Sequence, residues 1–246
     1  MTIRSVLIGL LVAIVGAAAT GGVFWLLLNV PESNGFALAL SAGLAVLLAI
    51  LTGYTISVVV AALDGATVVD AARRGPNGLT GFLVGLAVFC ALWYVTVAID
   101  GQWTLHSGEI DALLLRFAGT ANSRWLHTSI SWLLWLVRWG VGLAVVCGVT
   151  TSRVKRQSVG RGFQLASSPL PLGATVAGLL VGYGLWSLVY WRPKGLPANV
   201  AELLFVSIKL SALVLLGALI VVLVLRTFAR TAAQEAASTR ALNSPT

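Results

Sequence analysis

Two cations, Arg138 and Lys209, interrupt long apolar runs that carry no other charge near their middle. Each lies roughly 10–14 Å inside its run at about 1.5 Å of rise per helical residue. If such a run crosses a bilayer, a cation at that depth costs about 2.5–3.5 kcal/mol on insertion scales, so it needs an escape or a partner. Two readings stand. Side chains lean toward a helix N-terminus, so both cations can snorkel to the headgroups from which their runs descend. Alternatively, the two share an electropositive cavity that receives an anion or a phosphate headgroup, with the Arg138 fork as a bidentate donor. Arg138 lies about 100° around the helix from Trp139, on a side shared with Ser131 and Gly142, which points toward the interior of a bundle. Glu202 shares a face with Lys209 but is about 10 Å away along the axis. Asp100, at the end of the third apolar run, is another counter-ion candidate. Arg138, Lys209, Glu202 and Asp100 are therefore the candidate substrate-binding residues.

Other chemistry is sparse. His106 and His127 fall in one polar loop without the spacing or neighbouring cysteine of a metal or haem site. Cys90 and Cys147 lie in separate apolar runs and read as small buried hydrophobes. No carboxylate occupies the middle of an apolar run, which argues against a proton-driven carrier. Walker, nucleophile-elbow and dinucleotide motifs are missing in any useful context. No catalytic residue, metal or cofactor is expected.

The elements that position these residues follow from composition. Hydrophobic residues make up 58% of the 246 and charged residues 10%. A soluble domain carries roughly 25% charged residues, so the solvent of this chain is the lipid bilayer. Six runs reach the roughly 20 apolar residues that a spanning helix needs: 6–29, 36–63, 80–99, 129–150, 173–191 and 201–225. In lipid the backbone must satisfy its own hydrogen bonds, so these are helices. The first run has features of a signal peptide, with Arg4 before it and Ala17-Ala18-Ala19 within it. Its apolar character resumes at Val23, so it is read as a retained helix. The prolines fall outside the runs, Pro76-Asn77-Gly78 reads as a turn, and the spans are expected to be unbroken.

Orientation comes from lysine and arginine. Arg4, Arg73, Arg74, the Arg153–Arg161 cluster, Arg226, Arg230 and Arg240 fall on one side. Arg116, Arg124, Arg192 and Lys194 fall on the other. This puts both termini in the cytoplasm. The net charge of +8 is explained by this asymmetry and by anionic lipid, and no nucleic-acid partner is expected. In the longest outer loop, Glu109 to Phe117 reads as a short amphipathic helix, on the membrane face or over the bundle mouth. Trp132 and Trp139 fall on one face of the fourth helix and read as lipid-facing or as a dock for another protein. Gly81 with Gly85, and Ala174 with Gly178 and Gly182, have the spacing that lets helix backbones approach, here within one chain.

The expected fold is thus all-α, a polytopic transmembrane bundle of about six helices, with a single domain over 1–230 and a flexible cytoplasmic tail over 231–246. The leading functional expectation is a non-catalytic transmembrane subunit or scaffold of a larger membrane complex. The alternatives are a permease-like transporter of an anionic or lipid-linked substrate and, ranked lower, a membrane enzyme acting on lipid. The cytoplasmic segments are large enough to meet a membrane-protein or cytoplasmic ATPase partner, although they carry no motif for one. Single cysteines at Ser107 and Gly195 should react with a membrane-impermeant thiol reagent applied outside, and one at Ser158 should not. Labelling at Ser158 in intact cells, with Ser107 protected, would reverse the orientation.

Overall fold

A computed structural model describes residues 2–31, 34–118, 124–190 and 200–242. The described residues are helical, with no strand among them. The helices are α1 (Ile3–Leu28), α2 (Gly35–Leu63), α3 (Val68–Leu105), α4 (Ser107–Ala118), α5 (Arg124–Leu136), α6 (Gly142–Val154), α7 (Val159–Ser167), α8 (Pro169–Tyr190) and α9 (Val200–Leu242). A π-helical segment, Val137–Val141, joins α5 to α6. Six helices are long and apolar enough to cross a membrane: α1, α2, α3, the continuous α5–π–α6 rod, α8 and α9. The molecule is a multi-pass helical membrane bundle. Glu32 and the loop holding Arg192, Lys194 and Gly195 lie outside the described residues.

The core is concentrated at the end that carries the basic loops, the basic end of the bundle. The last turns of α2, Val58 to Leu63, are buried on every side. A helix stretch apolar all round belongs inside a bundle, and here α1, α3, α6 and α9 surround it through Ala13, Ala71, Val154 and Leu225. A second cluster joins α6, α7 and α9 through Val149, Leu165 and Phe228. Lys155, half-buried just past α6, ties the two together. Its Nζ donates to the Ala229 carbonyl at 3.0 Å and pairs with Asp64, which caps α2, at 3.0 Å. Arg161 of α7 pairs with Glu235 of α9 at 3.0 Å.

The third and fourth spans approach most closely. A Cβ on Gly81 would lie 2.7 Å from the Val149 carbonyl oxygen, and one on Gly85 would lie 2.7 Å from Val146 Cα. This GxxxG pair joins helices of the same chain, as its spacing implied. In the other small-residue series, Gly178 meets Val224 and Ile220 of α9. Gly182 has no neighbour within 4 Å.

Several boundaries differ from the sequence-based expectation. α3 begins at Val68, where the Thr67 side chain caps the helix by accepting from the Asp70 N–H at 3.2 Å. Pro76 is consequently inside the helix and does not form a turn. Proline leaves the carbonyl four residues earlier without its intrahelical donor. That carbonyl, on Ala72, accepts from the Tyr54 hydroxyl at 3.1 Å. The Tyr54 ring fits because residue 75 is glycine, where a Cβ would come within 2.5 Å of it. α9 likewise continues past Thr231 to Leu242, with Ala232 buried and Glu235 paired, so the tail expected to fray is helical this far. Cys147 packs against both core clusters, whereas Cys90 is exposed on α3 and is not the buried hydrophobe expected.

The Gly85 contact is backbone to backbone and cannot yield cheaply. Gly85→Leu should lower the melting temperature in detergent by several degrees, because overpacking costs about 1–3 kcal/mol. Gly217→Leu, at a glycine with nothing within 4 Å, should leave it nearly unchanged. Equal melting of the two variants would contradict the packing described.

Candidate functional site

Arg138 lies within the π-helical segment. The fourth span begins earlier than its apolar run, at Trp125, and ends at Val154. Arg138 is therefore near mid-span, about 20 Å from the Trp125 end at 1.5 Å per residue. A π turn accommodates an extra residue and rotates the succeeding helix by about 100°. The two glycines at its end make room for neighbours. Gly142 is packed by Phe89 of α3, and a Cβ on Gly140 would lie 3.1 Å from Val176 of α8. The span that holds the candidate cation is continuous, as expected, but its hydrogen bonding changes from α to π at this segment.

The Arg138 side chain turns to α3. Its Nε donates to Thr96 Oγ1 at 2.9 Å, and its guanidinium carbon lies 4.9 Å from the centre of the Trp93 ring. Thr96 is buried, and its own hydroxyl donates to the Leu92 carbonyl at 2.9 Å, so it is fixed as an acceptor. Trp93, Phe89 and Trp139 form an aromatic cluster beside the guanidinium, with Trp93 and Trp139 edge to face at 5.0 Å. Among the described residues Arg138 forms no ion pair, and Nε is its only hydrogen-bonded nitrogen.

Asp100 is one turn further along α3, away from the basic end. It accepts a hydrogen bond from Ser131 of α5 at 3.4 Å. Ser131, Arg138 and Gly142 thus all face α3, the side read from the sequence as interior. Lys209 is half-buried on α9 with its Nζ 5.7 Å from the Phe205 ring. Glu202 belongs to α9, but its side chain lies outside the described residues. The tryptophans expected to share a face part company across the π segment. Trp139 packs on α3, while Trp132 packs against Trp135 and Tyr183 of α8.

A second polar group lies beyond this one. The expected amphipathic helix is α4, with Glu109 in its first turn and Arg116 in its last, matching the helix dipole. His127 Nε2 lies 3.1 Å from Asp111 Oδ1, and its ring centre is 5.5 Å from that of Trp103. This contact pins α4 to the start of the fourth span. The Trp103 indole N–H is buried and without a partner among the described residues. α3 and α4 also line an open apolar groove of about 520 Å³ that includes Tyr94, Ala98, Gln102 and Ile110. Among the described residues, no lysine, arginine or carboxylate lines it. Among the described residues, no group of three or more His, Cys, Asp or Glu side chains could hold a metal.

The site is thus a cation and a carboxylate on adjoining spans of a helical membrane protein, each held by a hydroxyl. No family model, curated protein or solved structure matches this chain.

The sequence missed the π segment, the hydroxyl partners and the Asp111–His127 link. His127→Ala should accelerate limited proteolysis between 107 and 124 in detergent, because α4 loses its side-chain tie. Unchanged cleavage would show that the His127–Asp111 contact does not hold α4 in place.

Proposed function

We propose that the protein is a non-catalytic transmembrane subunit whose own contribution is to hold an anionic phospholipid headgroup, or the headgroup of a lipid-linked substrate, at Arg138. The observation that carries this reading is a mid-span guanidinium tethered through Nε, with its terminal nitrogens bonded to no other described residue. Snorkelling would carry the cation to the interface. Here a buried threonine and a tryptophan hold it against α3 instead. The fork left over has the geometry for two oxygens of a phosphate. Lys209 stands as a second candidate cation for the same class of ligand. The role of subunit is supported by the small extent of chain outside the spans.

A permease-like reading, with the same site passing its ligand onward and a separate ATPase as partner, is favoured by one observation. The span that carries Arg138 contains a π segment, and π turns within α-helices are frequent at functional sites. On the lysine and arginine asymmetry, the site belongs to the outer half of the membrane.

Native mass spectrometry of the protein released from phospholipid nanodiscs should show one retained phospholipid. Arg138→Gln should reduce that retention about tenfold while leaving the melting temperature within a few degrees. Arg138→Lys should fall between, since an ammonium lacks the planar fork. Full retention by the glutamine variant would remove Arg138 as the site. Mild-detergent purification should bring down a stoichiometric partner, and recovery as a lone chain would contradict the subunit role.

A further inference from the structure

Two opposite charges face each other across the third and fourth spans without neutralising one another. Arg138 is held by Thr96 at 2.9 Å, and Asp100 by Ser131 at 3.4 Å. Asp100 comes one turn of α3 after Thr96, about 6 Å along the axis. No ion pair joins Arg138 and Asp100 among the described residues. In a medium of low dielectric, neighbouring opposite charges attract strongly, and an arginine side chain has the length to close such a gap. Each is instead bonded to a hydroxyl of the facing helix. The result is a polar step with its cation at mid-span and its carboxylate toward the end away from the basic loops.

We infer that this step receives a zwitterionic aminophospholipid, with its phosphate on Arg138 and its primary ammonium on Asp100. The inference rests on the proposed Arg138 headgroup site and adds the second charge. The phosphorus-to-ammonium reach of an ethanolamine headgroup, four bonds, is comparable with one helical turn, about 5.4 Å. A lipid entering from the outer leaflet also presents its charges in this order, with phosphate deeper and ammonium nearer the surface. A primary ammonium has three donors for a carboxylate and its neighbouring hydroxyl. A choline headgroup has no donor and is recognised by free aromatic faces, but the face of Trp93 is already taken by the guanidinium. A glycerol headgroup carries no positive charge and would leave Asp100 unmatched beside a phosphate. The surroundings favour a lipid over a soluble zwitterion, because Trp93 is exposed and Leu133, two residues beyond Ser131, is exposed as well.

The test is competitive lipid retention by the full chain, read by native mass spectrometry, in nanodiscs holding equal parts of phosphatidylethanolamine, phosphatidylglycerol and phosphatidylcholine. The wild type should retain phosphatidylethanolamine about tenfold over either of the others. Asp100→Asn should abolish the preference over phosphatidylglycerol while retention of phospholipid as such persists. Arg138→Gln should reduce retention of all three about tenfold. Millimolar O-phosphoethanolamine, which has both charges and no acyl chains, should not displace the bound lipid. A wild type that prefers phosphatidylglycerol or phosphatidylcholine, or an Asp100→Asn variant with its preference intact, would overturn the zwitterion assignment and leave the Arg138 site standing. Undiminished retention by Arg138→Gln would overturn both. Displacement by O-phosphoethanolamine would make the ligand a soluble zwitterion and overturn the lipid assignment. Should Asp100→Asn fold poorly, Ser131→Ala, which removes only the hydroxyl that holds Asp100, should weaken the same preference. An unchanged preference in that variant would count against the inference.

Discussion

The arrangement depends on how closely the third and fourth spans approach. Gly81 and Gly85 present bare backbone to Val149 and Val146, and Gly142 presents bare backbone to Phe89. In lipid there is little hydrophobic gain in joining two helices, so close packing and interhelical hydrogen bonds must hold them. Small residues make both available. Once the backbones are this near, Arg138 reaches Thr96 on the facing helix and Ser131 reaches Asp100. A bulkier residue at any of the three glycines would push the helices apart and take the polar step with them.

The two ends of the bundle are built differently. At the basic end, α2 is enclosed by four neighbours, and Lys155 joins the ends of α2 and α6 to the α9 backbone. Asp64 comes directly after the last turn of α2, and Arg156 comes after the C-cap of α6 with φ of 57°. That left-handed conformation is uncommon for a side chain as large as arginine. It lets the Gln157 N–H turn back to the Ser152 carbonyl at 2.8 Å and close the helix, the bond that ends many helices. At the other end the spans expose large apolar side chains such as Trp25, Leu133 and Trp186.

Much of this was legible in the sequence, for clear physical reasons. Apolar runs of spanning length cannot be anything but helices in lipid, and the six runs became the six spans. The side of the fourth helix bearing Ser131, Arg138 and Gly142 was recognisable because polar and small residues avoid lipid. What escaped was set by contacts between distant residues. Pro76 reads locally as a helix breaker, and only the Tyr54 hydroxyl, bonded to a carbonyl 18 residues away, makes it tolerable inside α3. The extension of α9 depends on burying Ala232 and pairing Glu235 with α7, neither of which periodicity announces. The π segment is a change in hydrogen bonding with no residue signature beyond its glycines. A regular helix places Trp132 and Trp139 together, but their rings pack on α8 and α3 respectively.

The central claim is that Arg138 is a fixed part of the helix interface, bound to Thr96 within the membrane, and not a headgroup-seeking cation whose neighbours are incidental. A double-mutant cycle measures this directly, with Arg138→Gln, Thr96→Val and the double variant compared in reversible unfolding in detergent. Residues joined by a hydrogen bond couple by about 0.5–3 kcal/mol, whereas independent sites add within about 0.3–0.5 kcal/mol. A fixed Arg138–Thr96 bond predicts a stabilising coupling of about 1 kcal/mol or more between the two positions. Additive effects would contradict it.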